Sequence, residues 1–309
     1  MGRRRAARKG RHALHASPAA GTFTPMSDAK WPAPYRREVV DEAEVVALPH
    51  ALEWATHAVA RYGSLFAWAE ARPDAGGLQG RGVAHLVPAA VPAAPFSEKG
   101  AEAGGQRWVV RHYRRGGLVA RFVEDRFLDV GERRPLRELR ASHAARERGI
   151  PTPEVVALGV YPTGVWYRAD IVTRWVPDSI DLAAALFDGD PSDERRERAM
   201  RAAGELVRHA HRAGVVHNDL NLKNVLLTGL DDGAPSAWLL DLDRAVVVRD
   251  EVARFERDQM LRRFSRSLRK TERLRRERLG ESPRMAFALG YGRGAGDTAS
   301  DTAVEERET

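Results

Sequence analysis

The sequence predicts an α+β fold, and three observations carry that prediction. Apolar stretches of strand length occupy 83–87, 107–113 and 166–175. Apolar residues recur at three- and four-residue intervals over 135–148 and again over 199–210, the period of helices with one buried face. A polar loop with an apolar exit, Gly214-Val-Val-His-Asn-Asp-Leu-Asn-Leu-Lys-Asn-Val-Leu-Leu227, is answered by a second apolar run, Trp238-Leu-Leu-Asp-Leu-Asp243.

Residues 1–28 carry Arg3, Arg4, Arg5, Arg8, Lys9 and Arg11 with little apolar periodicity, and read as a loose basic tail. Its charge resembles the first region of an export signal, but no apolar core follows, so export is not expected and Met26 is an alternative start. Between 36 and 79 the pattern is mixed, and only Leu52–Tyr62 reads as a short helix. Gly80-Arg81-Gly82 then precedes the strand candidate Val83–Val87. Two glycines one residue apart let a backbone approach phosphate closely, and successive N–H groups can cradle its oxygens. The competing reading is an ordinary turn.

After a Gly- and Ala-rich hairpin candidate at 97–105, the run from Arg107 to Gly116 alternates as a strand. Trp108, Val110 and His112 take one face, and Val109, Arg111 and Tyr113 the other. Arg111 is therefore a candidate cation for phosphate oxygens, or else a solvated surface residue. Pro135 to Arg148 reads as a helix closed by Gly149, with Leu136, Leu139 and His143 near one face. Glu138 is its interior acid and the expected partner of Arg111. Ile150-Pro-Thr-Pro153 turns into a strand, Trp166 to Trp175 supplies another, and Arg174-Trp175-Val176-Pro177 connects the two halves of the chain.

Asp190-Pro191 is the expected cap and first-turn proline of a helix whose stripe is Ala199, Ala203, Leu206, Val207 and Ala210. His209 and His211 read as packing or surface residues. That helix delivers the chain to the loop in which His217, Asp219 and Asn224 stand as His-x-Asp-x-x-x-x-Asn. Phosphoryl transfer needs a carboxylate beside the acceptor oxygen and oxygen ligands for a divalent cation. Asp219 suits the first task, Asn224 and Asp241 the second, and His217 braces the loop. Residues 228–236 are a polar loop between two apolar strands. If the second strand continued, Asp243 would face the same way as Asp241 and assist the metal; the alternative is a pair with Arg244.

From Arg254 to Arg278 there are 11 Arg or Lys against 4 Asp or Glu, on a helix or pair of helices. The run is either a solvated face or a surface for an anionic membrane or acidic glycolipid. Nucleic acid is not expected, since no aromatic platform accompanies the charge. Residues after 292 read as a second loose tail.

The 309 residues, 43% hydrophobic, are enough for a substantial core, and the formal charge of +7 favours an anionic partner. The absence of Cys excludes disulfides and cysteine-ligated zinc. No apolar run reaches the roughly 18 residues of a membrane-spanning helix.

Arg111-His-Tyr-Arg-Arg-Gly-Gly-Leu-Val-Ala120, Asp125-Arg-Phe-Leu128, the Ile150-Pro-Thr-Pro153 turn, the Asp219 loop and Leu240-Asp-Leu-Asp-Arg244 together resemble the bacterial 3-deoxy-D-manno-octulosonic acid (Kdo) kinases, within the lipopolysaccharide core kinases. Arg263-Phe-Ser-Arg-Ser-Leu-Arg-Lys270 is similar to the basic C-terminal helix of that family. The resemblance runs from about Gly80 to Lys270. It implies a protein-kinase-like two-lobed fold: a small antiparallel sheet lobe with one helix, here 36–175, and a larger, mainly helical lobe, here 176–291.

The resemblance further implies phosphorylation of a Kdo hydroxyl on Kdo-lipid A by ATP with Mg²⁺, by a peripheral protein at the cytoplasmic face of the inner membrane. Asp219 matches the acceptor-orienting residue, with His217 beside it. Asn224 and Asp241, with Asp243 nearby, match the metal site, and Gly80, Arg81, Gly82, Arg111 and Glu138 the nucleotide site. Three departures separate the chain from ordinary protein kinases: Arg111 stands where they have Lys, Asn218 precedes Asp219 in place of Arg, and Leu242-Asp243 replaces Phe-Gly. Aminoglycoside-like phosphotransferases, atypical protein kinases and a noncatalytic membrane-associated protein are the competing readings.

Overall fold

A computed structural model of the chain describes residues 31–73, 75–78, 84–89, 106–114 and 125–292. Gly80, Arg81 and Gly82, the hairpin candidate at 97–105, residues 115–120 of the basic string and both tails expected at 1–28 and after 292 lie outside the described residues.

The first half of the chain builds one antiparallel sheet. Its strands are β1 (Arg36–Val40), β2 (Ala43–Ala47), β3 (Gly76–Leu78), β4 (Ala84–Pro88), β5 (Arg107–His112), β6 (Phe127–Leu128), β7 (Val155–Thr163) and β8 (Trp166–Arg174), in the order β1-β2-β7-β8-β5-β4-β3 with β6 beside β8. Helices cover both faces. Helices α1 (Leu52–Tyr62) and α2 (Leu65–Glu70) cover one, where Val45, Ala47, Trp108, Val110 and Val172 are buried. Helix α3 (Arg134–Glu147) covers the other, over Val46, Tyr113, Leu158 and Ile171. Alternation along each strand sends neighbours to opposite faces, which explains why β7 is buried continuously over Val155–Tyr161 and β8 over Ala169–Val172. The faces expected for β5 are those observed.

A buried carboxylate fastens α2 to the sheet. Asp170, fully buried, accepts hydrogen bonds from the Phe66 N–H and the Tyr161 hydroxyl, each at 2.8 Å, and lies 2.6 Å from His112 Nδ1.

The second half contributes β9 (Ile180–Asp181), α4 (Leu182–Phe187), α5 (Asp193–Arg212), β10 (Val215–Val216), β11 (Val225–Thr228), β12 (Ser236–Leu239), β13 (Val246–Val247), α6 (Arg254–Arg275) and α7 (Glu281–Gly292). Its core gathers the α5 stripe, Leu182 and Leu186 of α4, and Met260, Phe264 and Leu268 of α6. The expected start of α5 is corrected. Asp190 adopts a left-handed φ of 51° in the preceding turn, and the cap is Ser192, whose hydroxyl accepts from the Arg195 N–H at 3.3 Å. Among the described residues no helix is long and apolar enough to cross a membrane.

Helix α7 packs on α5 at backbone distance. A Cβ on Gly204 would lie 2.3 Å from the Phe287 carbonyl oxygen, and one on Gly290 2.2 Å from that of Arg201. Gly290→Ala must therefore push the helices apart, at a cost of about 1–3 kcal/mol of overpacking. Urea unfolding should show that loss, while Gly292→Ala, which meets nothing within 4 Å, should remain near wild type.

The same contact buries His211, whose Nδ1 lies 3.0 Å from the Tyr291 hydroxyl. Burial lowers its pKa from 6.5 to about 4, helped by the nearby Arg257 charge. Because the unfolded chain binds this proton more readily, the His211 contribution is complete above pH 6.5 and is lost as pH falls towards 4. Thermal melts from pH 7 to pH 5 should therefore fall less steeply for His211→Gln than for wild type.

Candidate active site

The site grows from the turn after α5. Gly214 has φ 72°, and a Cβ there would stand 2.5 Å from the Asp250 carbonyl oxygen, so the chain can reverse here only on glycine. The strand pair β10–β13 then fixes Val215 and Val216, and a loop follows that its own side chains hold together. Asn221 donates to the Asp219 carbonyl at 2.9 Å and accepts from the Lys223 N–H at 3.0 Å, capping the short 3₁₀ turn Leu222–Asn224. Asn224 Nδ2 also donates to the Asp219 carbonyl, at 2.9 Å. Its amide orientation is thereby set, and the Oδ1 atom is turned away from that bond. From below, Ser267 on α6 accepts from the Leu222 N–H at 3.2 Å.

His217 is buried and links this loop to the next segment. Its Nε2 lies 2.8 Å from the Leu240 carbonyl oxygen, while its Nδ1 lies 3.2 Å from the Asp219 N–H. A carbonyl can only accept and an amide N–H can only donate, so the ring is neutral with its proton on Nε2. Burial lowers its pKa, against the opposing pull of the Leu240 carbonyl and nearby carboxylates, in agreement with that tautomer.

The hairpin β11–β12 brings Asp241 alongside, with Val225 paired to Leu239 and the Leu240 N–H bonded to the Asn224 carbonyl at 2.9 Å. There the expectation for Asp243 is overturned. The strand ends at Leu239, Asp241 takes a left-handed φ of 58°, and Leu242–Arg244 form a 3₁₀ turn, so the two carboxylates do not share a face. Asp243, 2% exposed, pairs with Arg134 of α3 rather than with Arg244. Arg137 caps the Asp243 carbonyl from the same helix.

Arg111 and Glu138 meet as expected, Nη2 to Oε1 at 2.6 Å, and the other arm of the guanidinium reaches Asp241 Oδ1 at 3.5 Å. The second carboxylate oxygen of Glu138 accepts from the Tyr113 hydroxyl. Burial opposes the Arg111 charge, but Glu138, Tyr113 and Asp241 together hold it more firmly protonated than usual. Burial likewise raises the Glu138 carboxyl, against Arg111.

Asp219, Asn224, Asp241, Arg111 and Glu138 thus form one connected set, with His217 as its internal brace. Sequence reasoning missed Tyr113, Arg134, Arg137, Asn221 and Ser267 as members. Among the described residues no cluster of three or more His, Asp or Glu side chains could hold a metal alone. Asn224 Oδ1 and the one-third-exposed Asp241 carboxylate are two hard oxygen donors, chemically of the kind that suits a magnesium ion sharing its remaining ligands with phosphate and water.

Comparison with known proteins adds the following. The family model described as "Lipopolysaccharide kinase (Kdo/WaaP) family" matches residues 97–285, more than half of the chain. A 3-deoxy-D-manno-octulosonic acid kinase of Xanthomonas euvesicatoria pv. vesicatoria is 34% identical over 232 residues, 72% of this chain and 82% of that protein. One of Vibrio cholerae is 34% identical over 140 residues, 45% of this chain and 56% of that protein. A solved structure of WaaP in complex with acyl carrier protein covers 88% of this chain and 97% of its own at 19% identity, with a TM-score of 0.46.

Removing one member of the buried pair leaves the other uncompensated. Arg111→Met strands Glu138, which is 4% exposed, in a site that raises its carboxyl. A full buried-pair penalty is about 3–5 kcal/mol, and partial exposure of Arg111 reduces the expected loss to roughly 2 kcal/mol. In urea titrations Arg111→Met/Glu138→Gln should recover at least half of it; strictly additive losses would mean the two side chains are not coupled.

Proposed function

The chain belongs to the lipopolysaccharide kinase (Kdo/WaaP) family, and from that premise we propose that it transfers the terminal phosphoryl group of ATP to a hydroxyl of Kdo in Kdo-lipid A, a step of lipopolysaccharide core biosynthesis. The observation that carries the reading is the connected set around Asp219, which supplies each element that phosphoryl transfer requires of a protein.

Asp219 is exposed at the head of a braced loop, where its carboxylate can accept a hydrogen bond from the attacking hydroxyl and take its proton as the new bond forms. His217 holds the Asp219 backbone and moves no proton, since both ring nitrogens are engaged in the neutral form. Asn224 and Asp241 would hold Mg²⁺, which when bound neutralises phosphate charge and aligns the phosphates. Arg111, kept charged and aimed by Glu138, offers a cation to the phosphate oxygens.

The acceptor is an anionic glycolipid, and α6 offers a matching surface. Arg262, Arg266, Arg269 and Arg273 are exposed on it at four- and three-residue spacing, one stripe along the helix. That stripe would bring the protein to the anionic cytoplasmic face of the inner membrane as a peripheral partner.

The test is incubation with ATP, Mg²⁺ and Kdo-lipid A followed by mass spectrometry of the lipid. Wild type should add one phosphate, and Asp219→Ala should lower kcat by about 10²–10⁴-fold, the usual contribution of a positioned base, while remaining folded. An unmodified lipid under conditions where the protein binds ATP would refute the acceptor assignment, and full turnover by Asp219→Ala would refute the role of that residue.

A further inference from the structure

We propose that Arg134 is a positioning residue that, from helix α3, fixes the place of the Asp241 carboxylate in the site. The inference rests on the reading of Asp241 as a metal ligand. It starts from the backbone at the site: Asp241 has φ 58°, a left-handed conformation that Asp tolerates without demanding it, so the contacts around the residue decide whether it is kept. The two residues that follow supply the restraint. Leu242 is 2% exposed in the core, and the equally buried Asp243 carboxylate takes Arg134 Nε at 2.9 Å together with Arg134 Nη2.

Arg134 is itself held in place. Its guanidinium lies 5.6 Å from the Tyr113 ring centroid and 5.1 Å from that of Phe127, in cation–π range of both. Arg137, one turn further along α3, donates to the Asp243 carbonyl, and Asn218 donates to the Arg244 carbonyl at 3.0 Å from the catalytic loop. Residues 241–244 are therefore moored at both ends, by Arg111 on Asp241 and by Arg134 on Asp243. Both cations come from the first half of the chain, one from β5 and one from α3. A swing of this segment would have to break a buried, two-point charge pair and expose Leu242, so α3 and Asp241 move together or not at all.

The experiment titrates Mn²⁺ into the full chain in the presence of ADP, reading free Mn²⁺ by electron paramagnetic resonance, for wild type, Arg134→Gln, Arg134→Lys, Asp241→Ala and Arg140→Gln. Arg140 sits on the same helix and, among the described residues, pairs with Glu132 at 2.6 Å, away from Asp243, so it reports any loss common to α3 substitutions. Arg134→Gln should weaken Mn²⁺ binding about 10–100-fold, the range for partners that orient a metal ligand. It should also raise the Mg²⁺ concentration for half-maximal turnover in parallel, with KM for the lipid acceptor unchanged. Arg134→Lys should recover part of the affinity, and Arg140→Gln should match wild type.

Wild-type Mn²⁺ affinity in Arg134→Gln, or an equal loss in Arg140→Gln, would overturn the proposal. If Asp241→Ala binds Mn²⁺ normally, the metal-site reading itself falls and the inference with it. A loss in Asp241→Ala without one in Arg134→Gln removes the positioning role alone. Should Arg134→Gln not fold, Arg134→Lys decides by the same titration, with a loss intermediate between wild type and Asp241→Ala expected and no loss excluding the role.

Discussion

The ion pair of Arg111 with Glu138 is the constraint on which the rest of the site depends. The Glu138 charge is not tolerable alone: it lies on the sheet-facing side of α3 with almost no water, and its carboxyl is raised by that burial. Together they satisfy one another, with Tyr113 taking the remaining carboxylate oxygen. Because β5 supplies Arg111 and α3 supplies Glu138, the pair sets how the helix lies on the sheet. The second arm of Arg111 then sets where Asp241 stands. From Asp241 the chain of contacts passes through the neighbouring Leu240 carbonyl to His217, and from His217 to Asp219 and Asn224. Disturbance at any link is therefore felt along the whole line.

The parts of this arrangement that could be read from sequence are those written in local patterns. Periodicity placed the α5 stripe and the alternation of β5, and fixed spacing grouped His217, Asp219 and Asn224. The pairing of Glu138 with Arg111 followed from an acid in the interior of the helix and from the need of a phosphate-facing cation for a partner that holds it in place. Strands β1 and β2 were not legible, because one of them is covered on both faces and its partner is largely exposed, so neither alternates cleanly. Asp243 was misplaced for a different reason. Its orientation depends on the left-handed backbone at Asp241, which no residue preference announced, since Asp tolerates that region without demanding it.

A signal for Arg134 was nonetheless present. The start of α3 carries Arg133, Arg134 and Arg137 with no acid in its first turn, the reverse of what a helix dipole favours. Such a cluster is stable only if each cation finds a carboxylate or carbonyl elsewhere. Arg133 finds Asp129 and Glu44, Arg134 finds Asp243, and Arg137 finds the Asp243 carbonyl. Unfavourable charge at a helix end is thus a pointer to long-range partners, although it does not say which.

The same reasoning explains why an arginine suits position 111. A lysine ammonium is a single point, and at 2.6 Å from the buried Glu138 it would be committed to that carboxylate. The planar guanidinium presents two terminal nitrogens in a fixed fork, one to Glu138 at 2.6 Å and the other towards Asp241 at 3.5 Å. The two contacts are unequal, and Asp241 is the less satisfied partner. In the proposed reaction that inequality is useful: the weaker contact would leave the Asp241 carboxylate, held in its place, available to a divalent cation, while Arg111 stays anchored on Glu138 and offers its other nitrogen to phosphate. The position of the cation is set by the buried carboxylate, and its function by the exposed one.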